Sequence, residues 1–271
     1  MSEKEKIWKK KTSYFTQIDY TTDDVNIKKG LKSISDYDEV NNRLVTEIFD
    51  SDGKLKSRTI MDGYAHRYIE YDRGGNEVSN NSTVYEPALE GRAENRKDFD
   101  SEGNSSEEFS EYGERDRVVK KKFVKNDEVH SYLEFIYDEQ DKVIETRCYE
   151  DNELKWYDLH EDKDENMEIT SHYVSDDNLL EQRICETKND GKLFISSTYN
   201  ELKELVKRIE EEYDAQNQVK EQRIFNEDNI LIERIIFKRE PESNLHKKIT
   251  TIEYLDGKKM KENIIENIYE Y

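Results

Sequence analysis

An aromatic residue, a short polar stretch and then an aliphatic residue recur along this chain, and self-similarity of that kind limits the available folds more than any single motif does. The clearest examples are Tyr37-Asp38 with Leu44, Phe49-Asp50 with Leu55, Tyr71-Asp72 with Val78, and Tyr137-Asp138 with Val143. Tyr149-Glu150 with Leu154, Tyr173 with Leu179, Tyr213-Asp214 with Val219 and Phe225-Asn226 with Leu231 continue the series. The aromatic-to-aliphatic step is five to seven residues, and starts at 137 and 149, or at 199, 213 and 225, lie 12 to 14 residues apart. Several intervening clusters are turn chemistry, as in Asp50-Ser51-Asp52-Gly53, Arg73-Gly74-Gly75-Asn76, Asn189-Asp190-Gly191 and Asp256-Gly257. Asp and Asn hydrogen-bond their own backbone and Gly accepts positive φ, so such clusters close hairpins.

Between the turns the segments are short and rich in Ile, Val, Thr, Tyr and Phe, the composition of strands. The expected fold is therefore all-β: an elongated, twisted antiparallel meander of repeated β-hairpins. Open sheets seldom pass ~10 strands without curling, so strong twist or curvature is expected. Leu202, Leu205, Ile209 and Tyr213 also fit one helical face. The same segment fits the repeat through Tyr199 and Leu205, and consistency with the rest of the chain favours a strand there. Residues 1–19 are read as an N-terminal segment, and residues 20–271 as one hairpin-repeat domain beginning near Tyr20 and Val25. Irregular insertions are expected near 86–98 and 238–247, the latter containing Pro241.

Composition bears on what such a sheet can do. The 60 Leu, Ile, Val and Phe make up about 22% of 271 residues, close to the ~20% at which a highly charged chain is disordered. The 18 tyrosines move the balance toward a folded sheet, because they bury area while keeping a hydroxyl in water. Two prolines also argue against a disordered linker. No apolar run approaches 18 residues and no apolar stretch follows MSEKEKIWKKK, so no membrane span and no secretory signal are expected. Cys148 and Cys185 are too few and too far apart for a disulfide framework, and free thiols suit the cytoplasm. The formal net charge of -21 repels phosphate backbones, which speaks against nucleic acid, and it favours a basic protein partner.

Seven Tyr-Asp or Phe-Asp pairs, at 37, 49, 71, 99, 137, 157 and 213, resemble the YD repeats of Rhs-type bacterial proteins and the related hairpin repeats of YwqK-like antitoxin families. The resemblance covers residues 20 to 260 or so, with short, degenerate motifs. The expected turn glycine is often replaced, as in Asp138-Glu139-Gln140-Asp141. It implies an extended hairpin architecture and a bacterial source. Such repeats serve shells, surface proteins and antitoxins alike.

A second pattern rides on the first. Glu145-Thr146-Arg147, Glu181-Gln182-Arg183 and Glu221-Gln222-Arg223 each follow a unit's aliphatic residue, and alternation puts the Glu and Arg of each triplet on one strand face. Such residues form charge ladders that hold register, and part of the charged face can dock a partner. Glu145, Glu181 and Glu221 are the expected steering charges, with Trp156 and Tyr157 as apolar anchors. Trp8 lies in a basic segment.

The histidines at 66, 130, 160, 172 and 246 show no zinc-hydrolase spacing, and Asp162, Asp164 and Asn166 resemble a calcium loop in which Met167 replaces the required glycine. No phosphate-cradling loop is present, so neither a metal nor a cofactor is expected. The function expected is a non-catalytic protein-binding module: an immunity or antitoxin-like protein that neutralises a basic bacterial toxin. A self-assembling structural or surface scaffold is the alternative, and a carbohydrate-active sheet enzyme using paired carboxylates is a third reading.

Overall fold

A computed structural model describes residues 9–20, 26–38, 40–63, 65–87, 93–100, 102, 104–113, 117–125, 128–239 and 245–270. Trp8, Val25 and residues 88–92 and 240–244, on which the sequence reading also drew, lie outside the described residues. Every regular element among the described residues is a strand. The first seven are β1 (Lys10–Asp19), β2 (Asn26–Asp38), β3 (Arg43–Phe49), β4 (Leu55–Asp62), β5 (Ala65–Tyr71), β6 (Glu77–Pro87) and β7 (Ala93–Phe99). There follow β8 (Ser105–Tyr112), β9 (Val118–Lys125), β10 (Glu128–Tyr137), β11 (Val143–Glu150), β12 (Glu153–Asp164), β13 (Met167–Val174) and β14 (Leu179–Lys188). The last six are β15 (Leu193–Asn200), β16 (Leu205–Tyr213), β17 (Val219–Phe225), β18 (Leu231–Arg239), β19 (His246–Leu255) and β20 (Lys258–Glu270). The protein is all-β, an antiparallel meander of hairpins, as the repeat predicts.

The repeat has a structural meaning. Its aromatic and aliphatic residues are cross-strand partners at the mouth of a hairpin: Tyr37 with Leu44, Phe49 with Leu55, Tyr137 with Val143, Tyr149 with Leu154, Tyr173 with Leu179 and Tyr213 with Val219. Tyr71 differs, since its partner is Glu77 rather than Val78. The residue after the aromatic organises the turn. Asp138 Oδ1 accepts the backbone N–H groups of Gln140 and Lys142, both at 2.9 Å. Asp50, Asn200 and Asp214 each accept the two equivalent N–H groups at 2.9–3.0 Å.

Four residues beyond the aromatic the backbone turns left-handed, at Gly53, Gly75, Asp141, Asp177, Lys203, Asn217 and Asn229. This is the three-residue hairpin loop, a type I turn closed by a left-handed residue. Asn and Asp tolerate that conformation better than other side chains, which explains how the turns survive without glycine. The register then slips by one residue. Val78, Val119, Ile144, Leu180 and Val206 are the unpaired residues of these bulges, and all five are exposed.

The chain divides into two compact units. In the first (residues 1–84, 99–103 and 232–271), nine strands pair in the order β6, β5, β4, β3, β2, β1, β20, β19, β18. Residues 10–19, set outside the repeat array by the sequence reading, form β1 and pair on both sides, with β2 and β20. Their sequence, with Tyr14 and Phe15 adjacent, lacks the aromatic-Asp turn that marks the other units. In the second unit (residues 85–98 and 104–231), β8 to β17 pair each with the next. Within the expected irregularity at 86–98, β6 extends to Pro87 and β7 begins at Ala93. Residues 205–213 are the strand β16, and Leu202 is 70% exposed in the turn before it. Ile209 and Tyr213 share a strand face, whereas Leu205 lies on the other, because the bulge at Val206 reverses the parity: the partners of Leu205 and Ile209 are Tyr199 and Ser196.

Neither unit has a conventional core. Among the described residues the buried hydrophobic side chains are Ile69, Cys148 and Ile252, and the buried polar ones are Ser13, Ser35, Ser57, Ser171, Thr250 and Asn267. Ion pairs bridge adjacent strands, as between Arg58 and Glu47 (2.6 Å) and between Lys120 and Glu134 (3.0 Å). At such exposure each contributes roughly 0–1 kcal/mol.

The turn geometry generates a prediction. Lys203 holds a left-handed φ of 62° without the compensation that Asn or Gly provides. Lys203→Asn is expected to stabilise the protein by about 0.5–1 kcal/mol, and Asn217→Val to destabilise it by about 1–2 kcal/mol. Urea unfolding of the two variants beside the parent measures both.

Candidate partner-binding surface

The segment 131–186 concentrates the acidity of the chain, with 18 Asp and Glu against five Lys and Arg. It spans most of β10, all of β11 to β13 and most of β14, and it contains Trp156 and Tyr157 in the middle of β12. Tyr157-Asp158 is a Tyr-Asp pair without a turn: the same dipeptide that closes hairpins elsewhere here lies within a strand. Successive strand residues point to opposite faces, so Trp156 and Tyr157 lie on opposite sides of the sheet. The two sides are the Tyr157 face and the Trp156 face below.

On the Tyr157 face, Tyr157 is opposed by Arg147 on one side and Tyr173 on the other. The Tyr157 and Tyr173 rings stack with centroids 5.0 Å apart and planes 9° apart. Tyr132 and Tyr149 form a second stack at 4.7 Å and 16°, with Lys120 Nζ 4.0 Å from the Tyr132 centroid. Arg147 lies between the two stacks in sequence register, opposite Glu134 and Tyr157, and its Nε donates to Glu145 Oε1 at 2.7 Å. The Glu145 carboxylate and the Tyr149 hydroxyl hold the guanidinium pKa above its ordinary range. The Tyr157 hydroxyl donates to Asp177 Oδ1 at 2.8 Å, and that carboxylate pushes the phenol pKa up to about 12.

On the Trp156 face, Asp158, His172 and Glu181 are successive cross-strand partners. His172 Nδ1 lies 2.6 Å from Asp158 Oδ1, and its ring meets Trp156 at 5.3 Å between centroids with a 47° tilt. Trp156 is opposed by Cys148 and Val174, and burial pushes the Cys148 thiol pKa up. His160 touches Thr146 and Thr170 at 3.4 and 3.3 Å. An imidazole clasped between a carboxylate and an indole fixes the Trp156 ring in place.

The sequence reading placed Glu145, Glu181 and Glu221 on one face with Trp156 and Tyr157 as anchors, and the register separates them. Cross-strand partners share a face. Following Tyr157–Tyr173 and Ser171–Gln182, then Gln182–Tyr199, Ser197–Arg208 and Glu212–Glu221, carries the Tyr157 face to Gln182 and onward to Glu221. Glu145, Tyr157 and Glu221 therefore share that face, while Glu181 and Trp156 share the other. Glu221 sits near Arg223 (3.6 Å), which also approaches Glu210 (3.4 Å). Asp158 and Asp177 carry no signal of their own in the sequence, where Tyr173 stands out only as a repeat aromatic and His172 only as a histidine without zinc-hydrolase spacing. A spacing of 16 between Tyr157 and Tyr173 gives no local signal of their stacking, although both precede a turn or a charged pair.

The Tyr157–Asp177 contact generates a pH prediction. A phenol whose folded pKa is raised from 10.0 to about 12 contributes stability that is fully present below pH 10 and is lost as the pH rises toward 12. Tyr157→Phe is expected to be less stable than the parent by a constant margin between pH 7 and 9. That margin should shrink above pH 10, as read by urea midpoints across the range.

No protein-family model matches the sequence, and no curated protein matches it either. Among solved structures, a porin-like protein from Bacteroides uniformis ATCC 8492 aligns over 97% of this chain and 98% of its own length, at 8% identity and a TM-score of 0.39. TcdB2-TccC3 aligns over 89% of this chain and 15% of its own, at 12% identity and a TM-score of 0.35. A LolA superfamily protein from Nitrosomonas europaea aligns over 96% of this chain and 84% of its own, at 7% identity and a TM-score of 0.26. At these identities and with TM-scores below 0.5, the likenesses carry no argument about function.

Proposed function

We propose that this chain is a non-catalytic protein-binding module that neutralises a basic bacterial toxin, in the manner of an immunity protein or antitoxin. The observation that carries the proposal is the concentration of 18 carboxylates against five cationic side chains in residues 131–186, around two tyrosine stacks. The hairpin repeats, with their likeness to YD and YwqK-like antitoxin repeats, support the same reading. Toxins that act on nucleic acid or membranes are often basic, and an acidic sheet covers such a surface by complementarity.

Carboxylates raise the encounter rate, whereas buried aromatic anchors set how long the complex lasts. The Tyr157 face combines Glu145 and Glu134 with Tyr157, Tyr173, Tyr132 and Tyr149, and it is the docking face in this proposal. Trp156, clasped by His172 on the other face, then supports β12 without touching the partner.

Co-expression with the product of the adjacent gene, followed by binding kinetics of the purified pair, tests the proposal. Growth rescue, a complex whose association slows as salt rises, and at least a tenfold faster dissociation for Tyr157→Ala than for Trp156→Ala are expected. No rescue and no complex would rule out the toxin reading. Faster dissociation for Trp156→Ala would move the docking surface to the opposite face.

A further inference from the structure

The first unit contains a local reversal of the chain's charge. Lys238 on β18 and Lys248 on β19 are directly opposed in an antiparallel ladder, and the intervening bulge residue is Lys247. Directly opposed residues have Cβ atoms about 4.5–5.5 Å apart, and like charges in that position destabilise the pair. Among the described residues one carboxylate answers the three lysines, with Lys248 Nζ 3.5 Å from Glu266 Oε1. Among the described residues Lys238 and Lys247 make no ion pair, and both are exposed. In a protein with a net charge of -21, three lysines with a single counter-charge among the described residues are an unusual local excess.

The same lysines line a cavity of about 370 Å³, together with Tyr14, Glu266, Asn267 and Ile268. Its apolar wall is open, since Tyr14 is 44% and Ile268 55% exposed. The Asn267 side chain points to the opposite face, where its Oδ1 accepts from Ser13 at 2.7 Å and its Nδ2 donates to the carbonyl of His246 at 2.5 Å, so it is not a ligand-binding group of this cavity. At about 30 Å³ per water the volume corresponds to about a dozen non-hydrogen atoms, at the lower end of small-molecule sites.

We propose that this cavity binds a small amphipathic anion, a single carboxylate or phosphate head on an aliphatic tail of six to ten carbons or so. The head lies between Lys238, Lys247 and Lys248 and offsets their mutual repulsion. The tail lies against the Tyr14 ring and Ile268. The site is independent of the toxin-binding proposal, because it lies wholly in the first unit and uses lysines rather than carboxylates.

The test is calorimetric titration of the full-length protein with octanoate and with octyl phosphate, with octylammonium and inorganic phosphate as controls. Either anionic amphiphile should bind, the tighter of the two identifying the head group, while octylammonium does not bind and phosphate alone binds at least tenfold more weakly. Lys238→Glu converts the like-charged pair into an opposite-charged one. It should therefore raise the melting temperature while weakening amphiphile binding at least tenfold, a combination that misfolding cannot mimic. Lys247→Gln should weaken binding without lowering the melting temperature. Failure of both anions to bind, equal binding of octylammonium, or unchanged affinity in Lys238→Glu and Lys247→Gln would overturn the proposal.

Discussion

The structure depends on one local interaction: the side-chain oxygen of an Asp or Asn accepting two backbone N–H groups from its own turn. Asp50, Asp138, Asn200 and Asp214 all make this pair of bonds. A sheet in which Ile69, Cys148 and Ile252 are the buried hydrophobics among the described residues cannot rely on a packed interior to define its register. Register comes instead from closed turns with a fixed left-handed residue, from the aromatic–aliphatic pair at each hairpin mouth, and from cross-strand ion pairs. Each hairpin thus carries much of its own specification. Turn hydrogen bonds also hold the carboxyls of Asp50 and Asp72 below the ordinary range, through the Lys54 backbone N–H and the Asn76 side chain respectively.

The sequence made the hairpins legible because their grammar is local. The step from Tyr137 to Val143 spans one turn, and its ends are partners in the ladder. The faces were not legible, for a related reason. Each three-residue turn inserts a bulge, and each bulge changes which residue parity faces which side. Between β13 and β14 the partners Ser171 and Gln182 differ in parity, whereas Leu159 and Ser171 across β12 and β13 do not. Identical Glu-x-Arg triplets at 145, 181 and 221 consequently land on different faces. Counting from one strand to the next needs the exact site of every bulge, and turn composition alone does not provide it. The strand β1 escaped notice because its two neighbours, β2 and β20, come from distant parts of the chain or lack the Asp turn that announces the other hairpins.

The two functional proposals draw on opposite charges in separate units. Residues 131–186 carry most of the formal excess of acid and present paired tyrosines, which suits a basic macromolecular surface. Lys238, Lys247 and Lys248 present an unbalanced cationic cluster beside an open apolar wall, which suits a small anion. In both, a scaffold without a deep core places charged and aromatic side chains on a sheet whose geometry is set by its turns. The exposed bulge residues Ile144, Leu180 and Val206 belong to that geometry, so their exposure needs no binding partner to explain it.

The central claim is that the turns specify their hairpins locally. Native-state hydrogen exchange of Asp138→Ala beside the parent tests it most directly, because exchange resolves cooperative units within one molecule. The account predicts that the amides of Gln140 and Lys142 and the facing amides of β10 and β11 lose protection, while those of β15 to β17 keep theirs. Equal loss of protection in β15 to β17 would mean that a single global core, and not the local turns, holds the sheet together.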